Sequence, residues 1–154
     1  MAGFDCGKPA LNAWLSDRAH RNQDLAFTSV VVIHDDNKVV GFYGLSPTAV
    51  QAAALPRSVR TGQPPALVPC VLLGQLAVDR RWQGRGLASR LVLDAFRRAS
   101  AAADLIGGRA LLLHAIDLEA AAFWRAWGFI PSADDPLLLL RGLASIRASL
   151  DSAV

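Results

Sequence analysis

The residues best suited to chemistry lie in Arg81-x-x-Gly84-x-Gly86, between an apolar run that ends at Val78 and a segment of helical spacing that opens at Leu87. The chemistry they suit is the holding of an anion. The first N–H groups of a helix have no intrahelical partner, and the helix dipole places about half a positive charge at that end. Gly84 and Gly86 clear Cβ atoms from the path of a ligand and accept positive φ. Arg81 and Arg85 add charge at the rim. Strand, glycine turn and helix in this order aim backbone amides at a phosphate. A P-loop is excluded because no Gly-Lys-Ser/Thr follows the glycines, and Ser89 stands where the dinucleotide fingerprint wants glycine or alanine. The alternative for these residues alone is an ordinary glycine-containing helix start, which the rest of the chain must decide.

Other reactive side chains are sparse. Tyr43 is the single tyrosine and sits inside a strand-like run, where packing is the ordinary role. His34 falls in a turn and reads as solvated. The two cysteines, Cys6 and Cys70, have no metal-ligand spacing and no secretory context, so they read as buried or incidental thiols and no metal site is expected.

Positioning these groups requires the following elements. Pro9 suits a first helical turn. Leu11, Trp14, Leu15 and Ala19 then share one face, with Asp17, Arg18 and Arg21 opposite, to an end near Asn22-Gln23. Residues 29–33, a turn over 34–37 and residues 39–45 read as a β-hairpin. Residues 46–67 hold Pro47, Pro56, Gly62, Pro64 and Pro65 and read as a long irregular loop lining a substrate groove, with Arg57 and Arg60 as candidates for polyanion contact. Residues 68–78 form the longest strand. After Gly86, Leu87, Leu91, Val92, Ala95, Phe96 and Ala99 make an apolar stripe, while Arg90, Asp94 and Arg98 stand four residues apart on the outer face. Gly107-Gly108 ends that helix, and 110–115 reads as a buried strand. Asp117 caps a helix over 118–127 that stops at Gly128. A loop over 131–136, a strand over 137–140 and a short amphipathic helix over 143–150 complete the chain.

At 154 residues and 53% hydrophobic content the chain can bury a real core, and one domain over 1–154 is expected. Its apolar runs fall far short of the roughly 18 residues needed to cross a bilayer, and no charged-then-apolar segment opens it, so no membrane contact and a cytoplasmic location are expected. The formal charge of +3 is carried almost wholly by arginine. That mild excess suits phosphate ligands, an acidic partner or RNA, but not a polybasic tail.

The glycine turn, followed by Asp117-x-x-Ala120-x-x-Phe123-Trp124-x-x-Trp127-Gly128-Phe129, resembles the acetyl-CoA-binding half of GNAT acetyltransferases. Phe4-x-Cys6-Gly7, Leu11-Asn12-x-Trp14-Leu15, Asn22-Gln23, Val39-Val40-Gly41-Phe42-Tyr43, Leu73-Gly74-Gln75-Leu76-Ala77-Val78-Asp79 and His114-Ala115-x-Asp117 narrow the resemblance to the acetyltransferase toxins of bacterial toxin–antitoxin pairs, over nearly the whole chain. The resemblance implies an α/β (α+β) GNAT fold with a mixed central sheet flanked by helices. It implies acetyl-CoA as cosubstrate, the α-amino group of aminoacyl-tRNA as acceptor, blocked translation as the outcome, and a ribbon-helix-helix antitoxin as partner. It also implies that backbone groups of Leu76, Ala77 and Val78 pair with the pantetheine arm. Arg81, Trp82, Gln83, Gly84, Arg85, Gly86, Leu87 and Ala88 would hold the pyrophosphate, and Asp117 and Phe123 would border the pantetheine and acetyl end.

Three features depart from the family's pattern. Trp124 stands where these toxins place a tyrosine, the expected general acid, and an indole N–H donates a hydrogen bond without titrating usefully. Water, Tyr43 or His114 then supplies the proton, or the protein is slow or inactive. The chain opens at Met1-Ala2-Gly3-Phe4, without the first strand of its relatives, so a sheet edge is expected to be open to a second copy or an antitoxin. Thr28-Ser29 replaces an arginine that relatives often carry there. Two other functions stay open: a GNAT enzyme for a small amine or a protein N-terminus, and a CoA-binding protein without catalysis that works through an antitoxin.

Overall fold

Asp36 and Asn37 both take positive φ, 49° and 63°, which matches a two-residue hairpin turn to the right-handed twist of its strands. They join β1 (Ser29–Asp35) to β2 (Lys38–Gln51) in antiparallel register. The turn expected over 34–37 is therefore shorter than read, because His34 pairs with Val39 and Asp35 with Lys38. The computed structural model describes residues 3–60 and 62–152, so the expected opening at Met1-Ala2 lies outside the described residues.

The later strands are β3 (Leu67–Val78), β4 (Ala110–His114), β5 (Ile130–Pro131) and β6 (Leu138–Gly142). Among the described residues, six strands make one sheet in the order β1-β2-β3-β4-β6-β5, with β1 at one edge. It is a mixed sheet: β4 runs parallel to β3 and antiparallel to β6, and β5 runs antiparallel to β6. The β3–β4 ladder holds Val71↔Leu111 and Leu72↔Leu112, and β3 runs on past it to Val78.

Two units divide the chain. One takes the described residues up to Ser46 together with Leu73–Ala95; the other takes Pro47–Leu72 together with the described residues from Phe96 onward. In the first, α1 (Pro9–Trp14) passes through a π-helical turn (Leu15–Ala19) into α2 (His20–Asp24) without leaving right-handed helical geometry. Its buried face packs Leu15 and Ala19 on Phe42 and Ala77, and the Trp14 ring stacks on Phe42 at 5.8 Å. The first part of α3 (Leu87–Ile106) belongs here as well. A Cβ on Gly41 would lie only 3.0 Å from Leu91 Cδ1, so glycine lets α3 sit close on β2.

In the second unit, Leu55, Val59, Val68, Cys70, Ala110, Leu112 and Leu140 share a core. α4 (Leu118–Ala126) and α5 (Leu143–Ser152) complete it. The loop expected over 46–67 is shorter than read. β2 extends through Gln51, a 3-10 turn covers Ala52–Ala54, and the Ala52 N–H donates to the Ala66 carbonyl at 3.0 Å. Pro47 escapes the usual penalty toward β1 because the partners of that strand stop at Leu45. The loop expected over 131–136 likewise gives up Pro131 to β5, paired with Leu139, and the strand expected over 137–140 lies at Leu138–Gly142. No helix among the described residues is long and apolar enough to cross a membrane.

Candidate functional site

In the first unit the site is built on Asp79, the residue that follows β3. Its carboxylate is only 2% exposed. Oδ1 accepts from the Arg81 backbone N–H at 3.0 Å and from Arg81 Nε at 3.1 Å, and Oδ2 accepts from the Asp5 N–H at 3.1 Å. The Arg81 hydrogen bond, above all, pulls the Asp79 carboxyl down to about 2 against the effect of burial. Gln83 Nε2 donates to the carbonyls of Cys6 and Val78 at 3.1 and 2.9 Å, and the Arg80 N–H donates to the Asp5 carbonyl at 2.8 Å. The turn at Phe4-Asp5-Cys6-Gly7 is itself clamped by Asn12, whose Oδ1 accepts from Cys6 N–H and whose Nδ2 donates to Asp5 Oδ1. A short N-terminal turn and the 3-10 turn Arg80–Trp82 are thus tied into one rigid approach to the glycines.

Gly84 and Gly86 take φ of 77° and 82°, where a side chain would be strained, and a Cβ on either would meet nothing within 4 Å. The loop therefore faces open space with its backbone, and the first amides of α3 follow at Leu87 and Ala88. Arg85 lies over the Trp82 ring at 4.7 Å and both line the loop. This is a run of backbone donors open to solvent with a cation beside it, a donor set that suits a diphosphate. Tyr43, also in this unit, is fully buried and its hydroxyl donates to the Asp94 carboxylate of α3.

The second unit holds the other expected residues. Asp117 caps α4, its Oδ1 accepting from the Ala120 N–H at 2.8 Å. Phe123 is 38% exposed on that helix, while Trp124 is 8% exposed. The Trp124 ring meets Phe123 edge-on at 5.0 Å and Phe129 at 5.3 Å. His114 ends β4, exposed, opposite Leu138. Arg57 and Arg60 are exposed in the same unit.

The family model for the acetyltransferase (GNAT) domain matches residues 26–131, a stretch that contains the glycine loop, α3 and the capped α4. The chain belongs to the GNAT acetyltransferase family. Its relatives include the tRNA-acetylating toxin of Mycobacterium tuberculosis, 43% identical over 96% of this chain and 89% of that protein. Among solved structures, AtaT complexed with acetyl-methionyl-tRNAfMet is 30% identical with a TM-score of 0.86, over 96% of this chain and 89% of that one. A tyrosine-to-phenylalanine mutant of the AtaT toxin, bound to the C-terminus of the antitoxin AtaR and acetyl-CoA, is 28% identical with a TM-score of 0.81, over 96% and 88%. This GNAT chain is accordingly an acetyltransferase with the mixed, helix-flanked sheet expected of it.

Within the GNAT loop, the sequence reading missed Asp79 as the residue that fixes Arg81, and Asn12 and Gln83 as clamps on the N-terminal turn. A signal was available for the first: aspartate directly after a strand and two residues before an arginine is a cap-forming pattern. The outer-face position expected for Asp94 does not hold, because its carboxylate is half-buried and accepts from the fully buried Tyr43 hydroxyl, 51 residues away in sequence. Asn12 carries no local signal for its bonds to Cys6 and Asp5.

Proposed function

We propose that this chain is an acetyl-CoA-dependent N-acetyltransferase toxin that acetylates the α-amino group of aminoacyl-tRNA and so blocks translation. The 43% identity to a tRNA-acetylating toxin over nearly the full chain is the observation that carries this reading. The acetyl-methionyl-tRNA complex of AtaT supports the acceptor, and the AtaR and acetyl-CoA complex supports both the antitoxin and the cosubstrate.

In this reading the amides from Gly84 to Ala88 hold the diphosphate, with Arg81 fixed by Asp79 and Arg85 beside them. Gln83, expected among these donors, instead directs its N–H to the Arg80 carbonyl and its side chain to the carbonyls of Cys6 and Val78. Backbone groups of Leu76, Ala77 and Val78 pair with the pantetheine arm, and Asp117 and Phe123 border its acetyl end. The acceptor amine needs little help: an α-amino group has an ordinary pKa of roughly 7.7, so much of it is neutral near pH 7 to 8. It attacks the thioester carbonyl to form the C–N bond, the C–S bond breaks, the CoA sulfur leaves with the bonding pair, and the nitrogen gives its surplus proton to water. A thiolate leaves far more readily than an amine nitrogen, so the C–S bond can break with hydrogen-bond help alone. Trp124 stabilises that step by donation from its indole N–H at most, so the proton comes from water and turnover is slower than with a tyrosine acid. Tyr43 is committed to Asp94, while His114, exposed at the end of β4, is the other side chain that could supply the proton. A ribbon-helix-helix antitoxin, a homodimer and a cytoplasmic location complete the reading, with the β1 edge as a surface that pairing can cover.

The test is incubation of the purified protein with labelled acetyl-CoA and charged tRNA. Acetyl-aminoacyl-tRNA is the expected product. Label in free amines or protein N-termini with none in tRNA would replace this reading by the small-amine one, and acetyl-CoA bound but never consumed would replace it by a non-catalytic one.

A further inference from the structure

The second unit contains a cavity of about 250 Å³ that the acetyl-CoA reading does not use. Its polar wall is made by Ser58, Arg109, Arg141 and Ser145, and none of its lining residues carries a carboxylate. Arg141 is half-buried. Its guanidinium donates to the Trp127 carbonyl at 2.8 Å, to Ser145 Oγ at 3.2 Å, to the Ser145 carbonyl at 3.4 Å and to Ser149 Oγ, and it lies over the Phe96 ring at 5.6 Å. Every one of those acceptors is neutral. A guanidinium does not deprotonate under ordinary conditions, so its charge stays in a place partly withdrawn from water, and among the described residues no anion pairs with it.

The wall is also preformed. The Arg109 N–H donates to the Pro69 carbonyl at 2.8 Å, and the Arg109 carbonyl accepts from the Leu143 N–H at 3.0 Å, which fixes that backbone between β3 and the start of α5. A Cβ on Gly62 would lie 3.4 Å from an Arg109 guanidinium nitrogen, so the loop after β2 closes over it. Arg57 and Arg60, both exposed, flank Ser58 and Val59 where these line the cavity.

We propose that this arginine-lined cavity is an anion site that takes a backbone phosphate of an RNA ligand, with Arg57 and Arg60 holding the phosphates on either side. The planar donor fork of arginine suits phosphate oxygens, and serine hydroxyls complete a tetrahedral oxyanion. Cationic side chains outside the cavity extend the positive surface beyond what a single small anion would use, which favours a polyanion. The choice of RNA rests on the tRNA reading of the acceptor; the anion site itself does not.

The experiment measures binding of deacylated tRNA by fluorescence anisotropy across a salt series. It uses the full chain, the Arg57→Gln/Arg60→Gln double variant and Arg109→Gln, with acetyl-CoA affinity and thermal unfolding followed in parallel. The double variant should bind tRNA roughly tenfold more weakly at low salt, with a salt slope shallower by about one to two, since each phosphate contact contributes about 0.7 to 0.9 to that slope. Arg109→Gln should weaken binding further, and acetyl-CoA affinity should not change. Unaltered tRNA affinity and slope in variants that still bind acetyl-CoA overturns the site, even where the wild type acetylates aminoacyl-tRNA. Weakened tRNA binding in a protein that acetylates no tRNA leaves the site standing and overturns the acetylation reading instead. A polyglutamate peptide that binds the cavity variants' parent more tightly than tRNA does assigns the cavity to an acidic protein and overturns the RNA proposal.

Discussion

Arg81 and Arg141 each lie beside a proposed anion site, and their surroundings are opposite. Arg81 is 67% exposed yet paired with a carboxylate that is only 2% exposed, so its charge is met inside the protein and its role is to shape a loop. Arg141 lies deeper and meets neutral oxygens and an aromatic ring, and burial holds its pKa below the ordinary arginine value. An internally balanced cation is suited to ordering backbone amides for a ligand, whereas one that meets only neutral groups is itself the candidate binding group, as proposed for Arg141.

The largest effect should come from removing the balance in the first unit. Asp79→Ala deletes acceptors for Asp5, the Arg81 backbone and the Arg81 side chain at once. About 3 kcal/mol of stability should be lost, read as a fall of roughly 6 to 12 °C in Tm. Acetyl-CoA affinity should fall with it, because Arg81 and the turn at Asp5 are released together. A variant of wild-type stability that binds acetyl-CoA normally would mean that Asp79 does not organise the loop.

Gly86→Val leaves that network intact and asks whether the backbone itself is the binding group. At φ of 82° a β-branched residue is strained, and its side chain projects into space that is open in the protein. The KM for acetyl-CoA should rise tenfold or more, which is about 1.4 kcal/mol. An unchanged KM would place the diphosphate elsewhere.

Much of this architecture was readable in advance, and the reason differs from element to element. The glycine loop, the Asp117 cap and the stripe on α3 follow from local rules that hold within one helical turn, so residue types sufficed. Phe4-x-Cys6-Gly7 and Leu11-Asn12 were visible as a pattern, but their meaning, the Asn12 clamp on the Cys6 and Asp5 groups, needed coordinates. Prolines misled the reading at Pro47 and Pro131, because a strand tolerates proline beyond the end of a ladder or in a short edge strand. The arginine-lined cavity was out of reach, since Ser58, Arg109 and Arg141 come from three separated segments and each looks ordinary alone.

In the second unit the proposed weakness of Trp124 gives a smaller and opposite effect. Trp124→Tyr should raise kcat about tenfold, less than the roughly hundredfold or more a fully positioned acid supplies, with little change in KM for acetyl-CoA. The ring must still pack against Phe123 and Phe129, so thermal unfolding has to be followed in the same variant. A properly folded Trp124→Tyr enzyme with the parent rate would show that the leaving thiolate needs no acid.

The smallest effect sharpens the contrast between the two arginines through pH. The Asp79 carboxyl sits at about 2 in the folded protein against an ordinary 3.8, so the folded state favours its ionised form. Its contribution, about 2 kcal/mol from that difference, is therefore complete above roughly pH 5 and disappears as pH falls through 3.8 toward 2. Asp79→Asn should accordingly flatten the acid limb of the stability curve and converge with the wild type near the bottom of it. Arg141→Gln should cost only about 1 kcal/mol for its lost hydrogen bonds. That cost should be the same at the top and the bottom of the acid limb, because the partners of Arg141 do not titrate. An Arg141→Gln penalty that vanished with acid would reveal a carboxylate balancing this arginine, and the distinction between the two regions would fail.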